Sequence, residues 1–271
     1  MKILITGNKG FIGSNLSKKF IGLDRSVYQI DLDDFYTNND QWTKKLISKL
    51  YNINPDVVFH VGACSDTLEK SVNYMMELNY ESTKIIMDWV KFNSKKIIYS
   101  SSAANYGSNN YPSNLYGWSK YAAEGYVISN GGLALRYFNV YGKGESHKGR
   151  MSSVAFQSYL KNKNGEQIKL FPGEPKRDFV YVEDVITANL FALENYDVLK
   201  YNWYDVGSEE SRSFEDVLKN IGVSDWSYYE ESDIPGGYQF YTKSSKWMPG
   251  WRPKYNLEKG LKEYIKSLSN E

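Results

Sequence analysis

Lys2-Ile3-Leu4-Ile5-Thr6 runs without a break into Gly7-Asn8-Lys9-Gly10-Phe11-Ile12-Gly13, and helical periodicity begins directly after it. A short apolar run of this kind reads as a buried strand. Glycines at these points let the backbone turn sharply, approach a pyrophosphate closely and seat the next helix on the strand. The helix start adds free N–H groups and a partial positive charge, which suit a phosphate. A second apolar run, residues 27–31, ends in Asp31, whose carboxylate can accept hydrogen bonds from an adenosine ribose diol. Strand, glycine loop, helix and strand-end acid together point to a dinucleotide held by Gly7, Gly10, Phe11, Ile12, Gly13 and Asp31. Asp31 is followed by Leu32, Asp33 and Asp34 with no arginine nearby, which favours NAD as the cofactor and leaves NADP as the alternative.

Outward from that loop, β-branched runs at 56–62, 96–100 and 133–137 alternate with amphipathic stretches at 11–21, 42–51, 72–92 and 116–129. This alternation predicts an α/β fold, a Rossmann-type doubly wound parallel sheet. The interval from Asp31 to Asp56 is short, so the usual third strand is expected to be abbreviated or absent. After Asn139 the chain turns glycine- and proline-rich, with helices expected near 151–161, 182–194, 214–221 and 257–267. We expect residues 1–139 to form the dinucleotide-binding domain, rejoined by about 176–202 and 240–254. The remainder of 140–271 forms a smaller, interleaved C-terminal substrate lobe.

Composition excludes several classes. The chain has 271 residues with 33 Lys+Arg against 32 Asp+Glu, so no global charge draws it to nucleic acid or to an anionic membrane. Its apolar runs are far shorter than the roughly 20 residues of a membrane span. The lone cysteine, Cys64, has no internal disulfide partner and reads as a small buried packing group. The expectation is a cytoplasmic protein. The two histidines, His60 and His147, have no acidic cluster at ligand spacing, so no metal site is expected.

A second constellation carries chemistry. Ser102 follows the strand at 96–100, and Tyr116-Gly117-Trp118-Ser119-Lys120 opens a helix 14 residues later. Tyr116 and Lys120 at i,i+4 share one helical face, where an ammonium favours ionisation of a phenol. Tyr116 then serves as general base toward a substrate hydroxyl that Ser102 also holds, while a nicotinamide takes the hydride.

The glycine loop, the Ser102/Tyr116/Lys120 set and Arg136-Tyr137-Phe138-Asn139-Val140-Tyr141-Gly142 resemble the extended short-chain dehydrogenase/reductases that act on nucleotide sugars, the NAD-dependent epimerase/dehydratase family. The resemblance spans nearly the whole chain. Within that family His60–Ser65, Ser146-His147-Lys148-Gly149-Arg150-Met151 and Lys176-Arg177-Asp178-Phe179-Val180-Tyr181 look most like the subgroup acting on ADP-linked heptoses. The resemblance implies a second acid/base group at Lys148, with His147 beside it, and a recycled cofactor. It also implies Ala63 and Ser65 beside the cofactor, Asn79 near the nicotinamide-side ribose or serving helix geometry, Asn139 between cofactor and substrate, Arg177 on the nucleotide diphosphate, and Tyr238 in a segment that closes on the substrate. Gly236-Gly237 stand where that subgroup carries an arginine before the tyrosine. The implied partner is a nucleotide sugar, with self-association into a homo-oligomer through residues such as Ile85, Ile86, Trp89 and Tyr126. Two other readings remain: a UDP-hexose 4-epimerase or related reductase, and a non-catalytic dinucleotide-binding sensor or scaffold.

Overall fold

The computed structural model describes residues 1–37, 41–108, 111–235 and 238–269. Five strands open the chain: β1 (Lys2–Thr6), β2 (Ser26–Ile30), β3 (Val57–His60), β4 (Lys96–Ser102) and β5 (Leu133–Tyr137). Four short ones, β6 (Asn139–Tyr141), β7 (Lys169–Leu170), β8 (Lys176–Arg177) and β9 (Phe179–Tyr181), lie outside the main sheet, which β10 (Asn202–Val206) completes. The order is β10-β5-β4-β3-β1-β2 and every pairing is parallel.

Both faces of this sheet are covered, as parallel strands require. Alternation along the strands assigns the sides. Ile3, Ile5, Val57 and Phe59 join a core with Leu16 and Phe20 of α1 (Phe11–Ile21) and with Val185, Ile186 and Ala192 further along the chain. Leu4 and Val58 point the other way, into a core with Leu46 and Leu50 of α3 (Trp42–Ile53) and with Ile86, Trp89, Ala123 and Val127. Ile86 and Trp89 are therefore core residues and not members of a free face. A third cluster builds the lobe, joining Tyr141, Phe156, Tyr181, Leu261 and Tyr264.

Two departures from the sequence reading concern local chemistry. Asp31 is not the end of a strand. β2 stops at Ile30, and Asp31 caps the short helix α2 (Leu32–Phe35) in a reciprocal box with Asp34. From there α2 and α3 lead straight to β3, so no strand lies outside β2 among the described residues and β2 is the sheet edge. The long helix expected at 72–92 is interrupted. α4 (Val72–Met76) passes through a π-helical turn (Glu77–Glu81) into α5 (Ser82–Phe92).

The chain after Tyr141 serves both layers. α7 (Val154–Lys163) packs in the lobe, whereas α8 (Val182–Glu194) lies on the sheet with α1. Two buried carboxylates pin the return of residues 242–246 to the sheet. Asp178 accepts from the N–H and hydroxyl of both Ser208 and Ser244, and Asp205 accepts from the N–H groups of Ser245 and Lys246 and from the Tyr106 hydroxyl.

A directed hydrogen-bond chain ties β1, β3 and the π-turn together. The Gly62 N–H donates to Thr6 Oγ1 at 3.0 Å, Thr6 Oγ1 lies 2.7 Å from His60 Nδ1, and His60 Nε2 lies 2.9 Å from Thr83 Oγ1. Thr83 gives its one hydroxyl proton to the Asn79 carbonyl. The network therefore assigns the imidazole proton to Nε2. Burial pushes His60 down from 6.5 to about 3, with Lys120 adding to the effect. Below pH 6.5 the unfolded chain takes up this proton and the folded chain does not. Folding stability is thus complete above that pH and falls as pH drops toward 3, by about 1.4 kcal/mol per pH unit. Urea unfolding at about pH 7.5 and about pH 5 checks this, with His60→Gln expected to flatten the slope. An equal slope in both proteins would assign it to another group.

Candidate active site

The first site element is the loop from β1 to α1. A Cβ on Gly13 would stand 2.1 Å from the Gly7 carbonyl oxygen, and one on Gly7 would stand 2.6 Å from Gly62 Cα. Gly7 also takes φ +69°, a left-handed conformation that glycine adopts without strain. These contacts bring the turn against β3 and leave α1 starting at Gly10 with no side-chain cap and no acid in its first turn. The helix start is thus open to an anion. The Asp31 carboxylate accepts from the N–H groups of Lys9 and Leu32 at 2.8 and 2.7 Å, and a carboxylate has further lone pairs for a ribose diol. The residues present fit a dinucleotide. The structure also adds a cation beside this acid: Lys9 Nζ pairs with Asp33 at 3.0 Å, so the acidic run is not uncompensated.

The second element comes from β4 and α6 (Leu115–Ser129). Asn114 caps α6 by accepting from the Gly117 N–H at 2.8 Å, a contact worth about 1 kcal/mol, and so sets where Tyr116 leaves the helix. Ser102 ends β4 and accepts from the Ala104 N–H at 3.1 Å. Tyr116 and Lys120 line one cavity with Ser102, as the spacing predicts. The electrostatics differ from expectation. Burial raises the Tyr116 phenol, the Ser102 hydroxyl lowers it, and Lys120 is not among the groups that act on it. The Lys120 ammonium lies 4.3 Å above the Tyr99 ring, and burial pulls it down to about 7 while Glu124 opposes. In this arrangement the Lys120 ammonium rests against an aromatic face.

The third element is the 3₁₀ turn Ser146–Met151. It brings Lys148 into the same cavity, 5.5 Å from the centre of the Phe11 ring, and burial lowers its ammonium while Glu145 raises it. One cavity is therefore walled by Gly7, Gly10, Phe11, Ile12, Gly13 and Asp31, by Ala63 and Ser65, and by Ser102, Tyr116, Lys120 and Lys148.

Other expected residues lie elsewhere. Asn79 is buried in the π-turn and does not face the cavity. Its side chain accepts from the Cys64 N–H at 2.7 Å and donates to the Cys64 carbonyl and to Ser119 Oγ, so it fixes the cavity wall from behind. Cys64 is not a buried packing group but a half-buried part of that wall. Asn139 is exposed, its backbone bound to the Asp178 carbonyl, and neither it nor His147 lines the cavity. Arg177 is 7% exposed and Asp178 points away from it to the serines, so the guanidinium is left between Tyr238 at 5.0 Å and Phe214 at 5.7 Å. Its guanidinium donates to the Lys176 carbonyl at 3.1 Å. Burial lowers it. Phe171, Tyr229 and Phe240 extend the aromatic group around Tyr238. Gly236 and Gly237 lie outside the described residues.

Sequence reasoning missed the support under Tyr116. Glu124, one turn past Lys120, takes a bidentate fork from Arg136 at 2.8 and 2.6 Å and accepts from Ser101 and Asn105. Arg136 and Lys246 clasp Trp203 at 3.6 and 3.9 Å. The i,i+4,i+8 row Tyr116, Lys120, Glu124 was the available signal.

The model of the NAD dependent epimerase/dehydratase family matches residues 3–207. The chain belongs to that family. The ADP-L-glycero-D-manno-heptose-6-epimerase of Brachyspira hyodysenteriae is 33% identical over 315 aligned positions, covering 98% of this chain and 97% of the relative. The crystal structure of the enzyme of that name from Helicobacter pylori superposes with a TM-score of 0.83 at 29% identity, over 100% of this chain and 96% of that one. A UDP-glucose 4-epimerase from Thermotoga maritima shares the fold, with a TM-score of 0.83 at 23% identity, over 100% of this chain and 99% of that one. Membership of the NAD-dependent epimerase/dehydratase family makes the chain an NAD-dependent enzyme of the epimerase type. Among the described residues no helix is long and apolar enough to cross a membrane, and no three His, Cys, Asp or Glu side chains gather as a metal site.

Proposed function

We propose that this chain is an NAD-dependent nucleotide-sugar epimerase acting at C6 of an ADP-linked manno-heptose, with Tyr116 and Lys148 as its two proton-transfer groups. The observation that carries the reading is the meeting of Tyr116 and Lys148, from different elements, in the cavity walled by the glycine loop. The 33% identity to a heptose epimerase favours this substrate over a UDP-hexose.

NAD, when bound, accepts a hydride from the sugar and returns it within one turnover. The chain's own residues do the rest. Tyr116 takes the proton of the substrate hydroxyl and Ser102 holds the same oxygen, so that a carbonyl forms. Lys148 provides the opposing proton transfer that the other stereoisomer needs. Lys120 and Glu124, one and two turns further along α6, support the helix face that carries Tyr116. In this reading Arg177, buried without a carboxylate partner among the described residues, receives the diphosphate with the bidentate geometry a guanidinium favours, and Tyr238 flanks it. Gly7, Gly10, Phe11, Ile12, Gly13, Asp31, Ala63 and Ser65 hold the cofactor, with Asn79 acting through Cys64. His147 and Asn139, which lie off the cavity wall, take no part in this reading. The substrate occupies the junction between a dinucleotide-binding unit, 1–139 with the returning segments, and the remaining lobe.

The test is a proton NMR time course of purified protein with ADP-D-glycero-D-manno-heptose and no added cofactor. Conversion to the L-glycero epimer is the expected result. No conversion by protein that releases NAD on denaturation would reject the heptose and direct the search to UDP- and GDP-sugars.

A further inference from the structure

Glu145 has no exposed surface, yet it sits on a loop and was given no part in the chemistry above. Its Oε1 accepts from the Gly142 N–H at 3.1 Å and from the Ser153 hydroxyl at 2.7 Å, and its Oε2 accepts from the Ser153 N–H at 2.5 Å. Its carbonyl accepts from the Lys148 N–H at 3.0 Å. One carboxylate thus joins the beginning of the segment 142–153 to its end, and the arm it closes is the one that carries Lys148.

The arm has few other ways to hold a shape. Gly142, Gly144 and Gly149 all take positive φ, at 141°, 96° and 52°, and Gly149 breaks the 3₁₀ turn immediately after Lys148. Flexible residues on both sides of a functional lysine would cost conformational entropy at each turnover unless something ordered them beforehand. Other ties act within and beside the arm: the Ser152 N–H and hydroxyl both donate to the Gly149 carbonyl. Asn15 donates to the Lys143 carbonyl, Gln157 donates to the carbonyls of Arg150 and Ser152, and Arg150 pairs with Asp66. Ser153 also caps α7, so the Glu145 charge rests near a helix N-terminus, where a carboxylate is favoured.

We propose that Glu145 is the positioning residue for Lys148: its buried carboxylate closes the 142–153 arm and presents the lysine to the cavity. The inference rests on the reading of Lys148 as a proton-transfer group. The other ionisable groups in the cavity walls are Asp31, His60, Cys64, Tyr74, Tyr116, Lys120 and Tyr137, whereas Glu145, behind Lys148, is the group that raises the lysine against its burial.

The experiment compares wild type, Glu145→Gln and Lys148→Ala as NAD-loaded proteins. Two quantities are read: kcat and KM for the epimerisation, and the pH at which Lys148 becomes reactive to an amine-acylating reagent, followed by peptide mass spectrometry. Glu145→Gln keeps the shape and removes the charge. The expected result is a loss of kcat of about 30-fold or more, KM within about threefold, and a reactivity midpoint about one pH unit lower. An unmoved midpoint with full kcat, or a loss confined to KM, overturns the proposal. Full turnover by Lys148→Ala would instead reject the two-group reading, while the acylation midpoint would still report whether Glu145 acts on the lysine. If Glu145→Gln does not fold, Ser153→Ala carries the test, because it loosens the arm and keeps the charge. A fall in kcat with an unchanged midpoint is then expected, and wild-type kcat overturns the proposal.

Discussion

Tyr116→Phe is expected to lower kcat by about 10²- to 10⁴-fold, the range for loss of a general acid/base, with NAD still bound and the fold intact. The substitution removes one oxygen from a cavity wall and leaves the ring in place. In the proposed mechanism the phenol is the group through which a substrate proton leaves, and its surroundings act on it in two opposing ways. Burial raises it, which makes it a stronger base once ionised, and the Ser102 hydroxyl lowers it, which favours that ionisation. Lys120 and the Glu124–Arg136 fork beneath it fix the helix face from which it projects. Turnover is measured by NMR of the two epimers, and cofactor content by release from denatured protein. Turnover within about threefold of wild type would remove Tyr116 from the chemistry. Loss of NAD together with activity would show that the ring hydroxyl serves binding instead. The same variant tests the sensor reading, because a non-catalytic dinucleotide-binding module would not respond to the loss of a phenol oxygen.

Lys148→Ala is expected to cost about 10²- to 10³-fold in interconversion, and its failure should be asymmetric. If Tyr116 serves one stereoisomer and Lys148 the other, the variant still oxidises one epimer in a single turnover and not its partner. Rapid-mixing absorbance of the reduced cofactor would then rise with one epimer only. A 4-epimerase that turns its keto-sugar over a single base would keep its activity in both directions. Equal, near-wild-type signals from both epimers would therefore reject the two-group mechanism. The burial of Lys148 supports the expectation, because it lowers the ammonium and makes proton release easier near neutral pH.

Local pattern was most informative where chemistry and backbone geometry coincide. The loop Gly7 to Gly13 could be read directly because Gly13 and Gly7 are demanded by contacts of 2.1 and 2.6 Å that any side chain would violate. Tyr116 and Lys120 could be read because helical spacing places them on one face. Asp31 was right in position and wrong in setting, since its own carboxylate can end a strand or cap a helix and only Asp34 three residues on decides for the cap. The setting of Asn79 was not legible for a different reason. Its partners are the backbone of Cys64 and the hydroxyl of Ser119, which a π-turn brings to it and which no one-dimensional spacing announces.

By itself, then, the order of residues determined the alternation of strands and helices, the dinucleotide loop and the family, because each rests on interactions between residues near in sequence. Only the tertiary structure decided what surrounds the reacting groups. Lys120 faces the Tyr99 ring, Asp178 turns from Arg177 to Ser208 and Ser244, and Glu145 closes the arm of Lys148. Burial and partner geometry are properties of the packed chain, and they set the charge state of each group in the cavity.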